Sequence, residues 1–400
     1  VTGLPDVPSA RDLAFEIVHD LGPGFAGRAA GYDRETAFPF ENYAELRDAG
    51  MLGLCIPKRY GGMGASFQDY MHVAAELARF CPMTALTYNM HSQTTLWTGI
   101  LADDLDMPAD VRERHERIRS ELYRWILEDG AIMSQPLSEG IARGATAGVA
   151  TTATPVPGGF NVNGRKVFAS LAGAAHAYNF TCRVPGEEGL RFLSVRSDNA
   201  GVRIVGDWDP LGMRGTDSRT LVFEDAFVEA DDELLPPGGF DQLAARWPHV
   251  YLTLTPTYIG LTRAVVDFVQ GYLGSTPPPG IPARRDVPAK QWAWAEIQIA
   301  YERSRSLWEC AVAEARLDPD PEQLRRAWAA SYTAMETAPE VAALAIRACG
   351  GGSLMRNLPL EQHYRDARCG SVMLPWSAEV CLELLGRYGL YDEPDDHRHV

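Results

Sequence analysis

Apolar and polar positions along this chain change their period twice. Up to about residue 130 the spacing is helical. Ser66 and Asp69 form a capping-box pattern, after which Phe67, Tyr70, Met71, Ala74 and Leu77 fall on one face. From about 131 to 237 short runs alternate instead. Within 219–228, Leu221 and Phe223 share one face while Thr220, Val222 and Glu224 share the other, which predicts a strand with a buried side. Gly158-Gly159 and Asn163-Gly164 are turn signals, and the Asn-Gly pair predicts a tight hairpin. From about 238 helical spacing returns with Tyr258, Leu261, Val265, Phe268, Val269 and Tyr272, and Ala-rich stretches run on to Leu344. Pro277-Pro278-Pro279 separates two of these helices.

Three segments follow: 1–130 helical, 131–237 built of strands, and 238–400 helical. Helices before and after one block of strands predict an α+β class rather than alternating βαβ units. Residues 22–27 satisfy GxGxxG, but a dinucleotide fingerprint must follow a strand. Helical residues precede this one, so it is read as a loop that ends a helix.

At 400 residues the chain has room for two or three domains and a continuous core. A formal net charge of -16 disfavours nucleic acid and anionic membrane surfaces. The seven cysteines show neither CxxC nor paired metal spacing, so no disulfide framework and no metal site is expected. No apolar run reaches the roughly 20 residues that span a bilayer, and the first residues lack a secretory pattern. A cytoplasmic protein is expected.

Chemistry enters near the C-terminus. From Cys349 the chain reads CGGGSLMRNLPLEQHYRDARCGSVMLPWSAEV. Gly350-Gly351, the Leu-Pro pair eight residues on, and Arg365-Asp366-Ala367 resemble the C-terminal signature of the acyl-CoA dehydrogenase superfamily. Further runs resemble the family in order: the Gly- and Pro-rich stretch around 53–64, MSQPLSEG at 133–140, NGRKVFAS at 163–170, the run from Asp209 to Val228, and GLTRAVVD from Gly260.

The resemblance implies an N-terminal helical domain, a middle β-barrel domain, a C-terminal four-helix bundle, and FAD between the last two. It places Met133, Ser134, Phe168 and Ser170 at the flavin ring and Gly350 and Gly351 at the cofactor. A homodimer or homotetramer that completes the cofactor site is also implied. Where the family carries a cofactor-binding arginine, this chain offers Arg284 and Arg285, whose guanidinium groups suit a diphosphate. A solvated basic loop is the other reading of that pair.

The family's catalytic glutamate lies eight residues after the aspartate, and here that position is Leu374. An alternative base position falls on Val250, and Tyr251 stands where acyl-CoA enzymes carry an arginine. Four side chains are candidate replacements: His91, His249, Glu379 and, through a loop shift, Glu139. His249 is otherwise a helix-start residue, His91 otherwise a hydrogen-bonded core histidine, and Glu379 sits in the first turn of a helix capped by Ser377.

An apolar Leu374 beside the ring suits oxygen transfer, which needs water excluded. The leading expectation is therefore a flavin-dependent monooxygenase or oxidase acting on a small-molecule or carrier-linked substrate. It would use FAD, or reduced FMN or FAD supplied by a separate flavin reductase. The alternatives are α,β-dehydrogenation of an acyl thioester by a relocated base, passing electrons to an electron-transfer flavoprotein, and a catalytically silent scaffold.

Overall fold

The computed structural model describes residues 9–140, 149–277 and 279–391. Its helices come in two groups around one block of strands. The first group is α1 (Ala10–Glu35), α2 (Phe40–Asp48), α3 (Phe67–Phe80), α4 (Pro82–Thr98), α5 (Ile100–Asp103) and α6 (Ala109–Asp129). Ser66 caps α3 by accepting from the Asp69 N–H at 3.1 Å while the Asp69 carboxylate returns to the Ser66 N–H. That reciprocal pair is the expected capping box.

The GxGxxG run departs from its expected place. Residues 22–27 lie inside α1, with Pro23 in the helix. A Cβ added at Gly22 would stand 2.4 Å from the Phe80 ring of α3. Close packing of α1 on that ring outweighs the poor helix propensity of Gly and Pro, so the run neither ends the helix nor follows a strand.

Among the described residues eight strands follow: β1 (Met133–Ser134), β2 (Thr152–Val156), β3 (Gly159–Ala169), β4 (Ala177–Cys182), β5 (Arg191–Arg196), β6 (Val202–Val205), β7 (Arg219–Glu229) and β8 (Glu233–Leu235). They form two four-stranded sheets, β1-β4-β5-β8 and β2-β3-β7-β6. The expected barrel is therefore corrected to two open sheets. A barrel needs an unbroken hydrogen-bond ladder around its circumference. Here β1 pairs for only two residues, parallel to β4, and the sheets share one isolated bridge, Thr152 to Arg183. They are held face to face by side chains instead, with Phe180 stacked on Phe223 at 4.6 Å.

The hairpin turn is also displaced from its expected place. β2 and β3 turn at Gly158, where Val156 pairs Gly159, while Asn163-Gly164 lies within β3 at a register shift against β7. The Asn163 side chain is occupied there by Asp225, donating to its carboxylate at 2.8 Å and accepting from its N–H at 3.0 Å. Paired on both edges, the Asn-Gly step forms a bulge.

The last group is α7 (Gly239–Arg246), α8 (Thr255–Gly274), α9 (Pro288–Glu314), α10 (Pro321–Cys349), α11 (Leu360–Arg368) and α12 (Ala378–Leu390). A 3-10 segment, Pro248–Leu254, leads into α8. α10 is central, packing against α8, α9, α11 and α12, and α8 packs on α3 to join the two helical groups. All seven cysteines are free thiols. Among the described residues no helix is long and apolar enough to cross a membrane.

Candidate functional site

The expected flavin residues come together where β1 meets the end of β3. Ser134 is fully buried and donates through Oγ to the Ser170 carbonyl at 2.6 Å. Ser170 Oγ meets Ser218 Oγ at 2.8 Å, which meets Thr216 Oγ1 at 2.7 Å. This hydroxyl chain ties β1, β3 and the start of β7 into one rigid edge. Phe168 breaks the strand conformation with φ 53°, a left-handed value strained for a bulky residue. The kink turns its ring outward: Phe168 is 68% exposed, touched edge-on by Trp208 at 6.4 Å. An exposed aromatic face beside buried hydroxyls suits a planar heteroaromatic ring.

His91 supports this edge from behind. It is wholly buried on α4, and its Nδ1 accepts the Met133 N–H at 3.1 Å while Nε2 faces the Leu52 carbonyl at 2.9 Å. Those partners assign the Nε2–H tautomer. Burial pushes its pKa down to about 4, so the ring is neutral near pH 7. His176 Nδ1 accepts the neighbouring Ile132 N–H at 3.0 Å, so two histidines hold consecutive N–H groups where the chain enters β1.

A buried polar ladder continues from the same place. Asn179 Nδ2 donates to Thr94 Oγ1 (2.8 Å), Thr94 Oγ1 to Gln135 Oε1 (3.2 Å), Gln135 Nε2 to Gln93 Oε1 (3.0 Å), and Gln93 Nε2 to Thr253. It links β4, α4, the loop after β1 and the 3-10 segment. Sequence reading missed it because its members are far apart along the chain.

None of the candidate carboxylates supplies a free base. Glu139 is bound to the buried Lys166 at 2.6 Å and accepts the Ala150 and Thr151 N–H groups, and that cation and those hydrogen bonds hold its pKa low against its own burial. Glu379 lies exposed in the first turn of α12, whose Ser377 cap accepts from the Val380 N–H. Asp366, wholly buried, accepts the Met213 N–H and faces Gln362. Leu374 is partly open, at 36% exposure.

His249 is buried rather than exposed, neither ring nitrogen has a partner, and burial lowers its pKa to about 4. Tyr251, two residues on, was not among the candidates. Its ring meets Trp376 at 5.6 Å, two residues past Leu374, and its buried hydroxyl has no partner. Its place where relatives carry arginine was the available signal.

The remaining cofactor candidates gather at one end of α8, α9 and α10. Arg284 lies over the Tyr272 ring at 4.4 Å and donates to Ser275 Oγ at 3.0 Å. A Cβ at Gly352 would stand 3.4 Å from the Tyr272 hydroxyl, and Lys290 donates to the Ala348 carbonyl, so the ring under Arg284 borders the glycine run. Gly350 has φ 83°, and a Cβ at Gly350 or Gly351 would meet nothing within 4 Å, so an open cradle lies there. Arg285 is exposed and offers its carbonyl to Gln291. The stacking face, the hydroxyl edge and this open glycine cradle fit a flavin nucleotide.

Models of the acyl-CoA dehydrogenase N-terminal, middle and C-terminal domains match residues 24–102, 136–226 and 238–390. The chain belongs to the acyl-CoA dehydrogenase superfamily. It is a flavin-dependent oxidoreductase of that superfamily. Three relatives show the range around it. A Bacillus subtilis protein provisionally named an acyl-CoA dehydrogenase is 28% identical, over 89% of this chain and 91% of its own. The L-evernosamine nitrososynthase of a Micromonospora species is 26% identical, over 99% of this chain and 94% of its own. The FMN-bound dibenzothiophene monooxygenase of Paenibacillus sp. A11-2 superposes with a TM-score of 0.80 at 23% identity, over 95% of this chain and 97% of that one.

Proposed function

We propose that this flavoenzyme transfers oxygen to a small molecule, using reduced flavin delivered by a separate reductase. What supports the reading is that no free carboxylate is found among the candidates: the family resemblance puts Leu374 at the base position, and Glu139, Glu379 and Asp366 are engaged elsewhere. Abstraction of an α-proton needs a positioned base, whose loss lowers rate on the order of 10²–10⁴-fold. Oxygen transfer needs a dry, rigid pocket more than a base. FMN in the Paenibacillus structure favours FMN over FAD for the cofactor.

When bound, reduced flavin supplies the electrons that activate dioxygen. The chain's own residues do the rest. Phe168 would hold the ring by stacking, and Ser134 and Ser170 would support its edge. His91 keeps Met133 and Ser134 in place through the Met133 N–H. Leu374 would put hydrocarbon rather than a proton acceptor at the reacting face. The Tyr251 hydroxyl, without a protein partner, donates to the substrate oxygen or nitrogen. The oligomer, whether dimer or tetramer, completes the glycine cradle.

A second reading, dehydrogenation of an acyl thioester, has the sequence comparisons in its favour: all three domain models and the Bacillus relative carry the acyl-CoA dehydrogenase name. His249, neutral and with both nitrogens unengaged, is the base that reading requires, and FAD and an electron-transfer flavoprotein its redox partners. An anaerobic binding comparison separates the two. Oxygen transfer predicts that protein purified without flavin binds reduced FMN at least about tenfold more tightly than oxidised FAD, a gap of roughly 1.4 kcal/mol. Co-purifying FAD that octanoyl-CoA bleaches without oxygen would establish the second reading instead.

A further inference from the structure

A separate cavity of about 440 Å³ lies between α1, α3, α8 and the start of α11. Its body is apolar. Ala26, Ala29, Ala30 and Ala264 form a shelf of small side chains, and Phe80 and Phe268 make the walls. Two features are unlike an ordinary packing defect. His363, only 9% exposed, lines the chamber with its Nδ1 lacking any partner. Nδ1 itself has no open surface, so the Nε2 side of the ring is what a ligand atom in the chamber can reach.

At the rim stands Arg356, exposed and without an ion pair among the described residues. It also borders an adjoining hollow of about 260 Å³ with Arg34, Arg214 and Arg365. Of these, Arg214 and Arg365 are committed to Asp209 and to Asp33 and Glu361. The acidic group on the cavity wall, Asp267, is neutralised by Arg79 at 2.6 Å and Arg263 at 2.9 Å. The unspent charge is therefore positive and sits at the mouth.

We propose that this cavity binds a small carboxylic acid with an apolar body, its carboxylate on Arg356 and its tail on the alanine shelf. His363 then donates its Nε2–H to a carboxylate oxygen, since the neutral ring can place its proton on either nitrogen. A guanidinium fork matches a carboxylate, and the volume is within the range of small-ligand sites. A phosphate dianion fits poorly, because one exposed arginine cannot offset its desolvation against apolar walls.

Decanoate is the probe, titrated calorimetrically into the full chain with FMN present. Wild-type protein binds it, and decanol, without the charge, binds at least about tenfold more weakly. Arg356→Ala weakens decanoate about tenfold, the loss of one charge-assisted contact. Ala29→Phe fills the chamber and abolishes binding, with Ala264→Leu as the milder substitute should the first not fold. Circular dichroism melting verifies the fold of each variant. Absence of decanoate binding at millimolar concentration, or equal affinity in wild type, Arg356→Ala and the folded filling variant, overturns the assignment.

Discussion

Replacing His91 by phenylalanine keeps the volume of the ring and removes both nitrogens. The Met133 N–H and the Leu52 carbonyl, on residues that are buried, then lose their partner in a place water does not reach. Each orphaned group costs about 1–3 kcal/mol, so the variant loses about 2–6 kcal/mol. That is a large part of a typical domain stability of about 5–15 kcal/mol. Because the orphaned N–H belongs to the strand that carries Ser134, flavin affinity falls as well, by about tenfold or more.

His91→Asn, whose Oδ1 can replace Nδ1 as acceptor, recovers part of both losses. The pH response gives an independent readout. With its folded pKa lowered from 6.5 to about 4, His91 contributes stability that is present above about pH 6.5 and lost as the pH falls toward 4. The contribution is on the order of 3 kcal/mol. His91→Phe flattens that part of the acid slope, and His115, His249 and His363, also lowered to about 4, retain theirs. Urea unfolding between about pH 4 and 8 and equilibrium dialysis of FMN measure all of this. Wild-type stability and flavin affinity in His91→Phe, with turnover lost, would refute the positioning argument and place the ring among the reactants.

Four further substitutions test the remaining claims. Glu139→Gln leaves the buried Lys166 ammonium without its charge partner and destabilises by about 3–5 kcal/mol in urea unfolding, whereas the double variant Glu139→Leu/Lys166→Met regains most of it. Tyr251→Phe removes an unsatisfied buried hydroxyl and raises stability by about 1 kcal/mol, while turnover drops; unchanged turnover removes Tyr251 from the substrate contacts. Asp366, raised to about 7 by burial, keeps in the folded state a proton that the unfolded chain releases near 4. Stability therefore declines as pH rises through that window, by an amount on the order of 4 kcal/mol, and Asp366→Asn abolishes the decline in a comparison of melting at about pH 5 and pH 8. Leu374→Glu restores a carboxylate at the ring; anaerobic bleaching of added FAD by octanoyl-CoA in this variant shows that thioester recognition survives, and its absence with FAD bound shows that it does not.

The order of helices, strands and helices, the Ser66 cap, the buried face of β7 and the family motifs were all legible in the chain alone. Each depends on neighbours a few residues apart, where backbone geometry makes spacing equivalent to contact. The chain alone also shows a leucine, Leu374, where the family resemblance expects a glutamate. Only the tertiary structure decided the rest. His91 and His249 are alike in residue type and burial. One is saturated by main chain from two distant segments, and the other has no hydrogen-bond partner among the described residues. Glu139 was open to a catalytic reading until Lys166, 27 residues on, was seen to claim it. The β1-β4-β5-β8 sheet remained open because the ladders at its two edges stop after two residue pairs, which alternation within a strand does not report. A side chain's chemistry is set by desolvation and by the groups around it, and packing brings those groups together from across the chain.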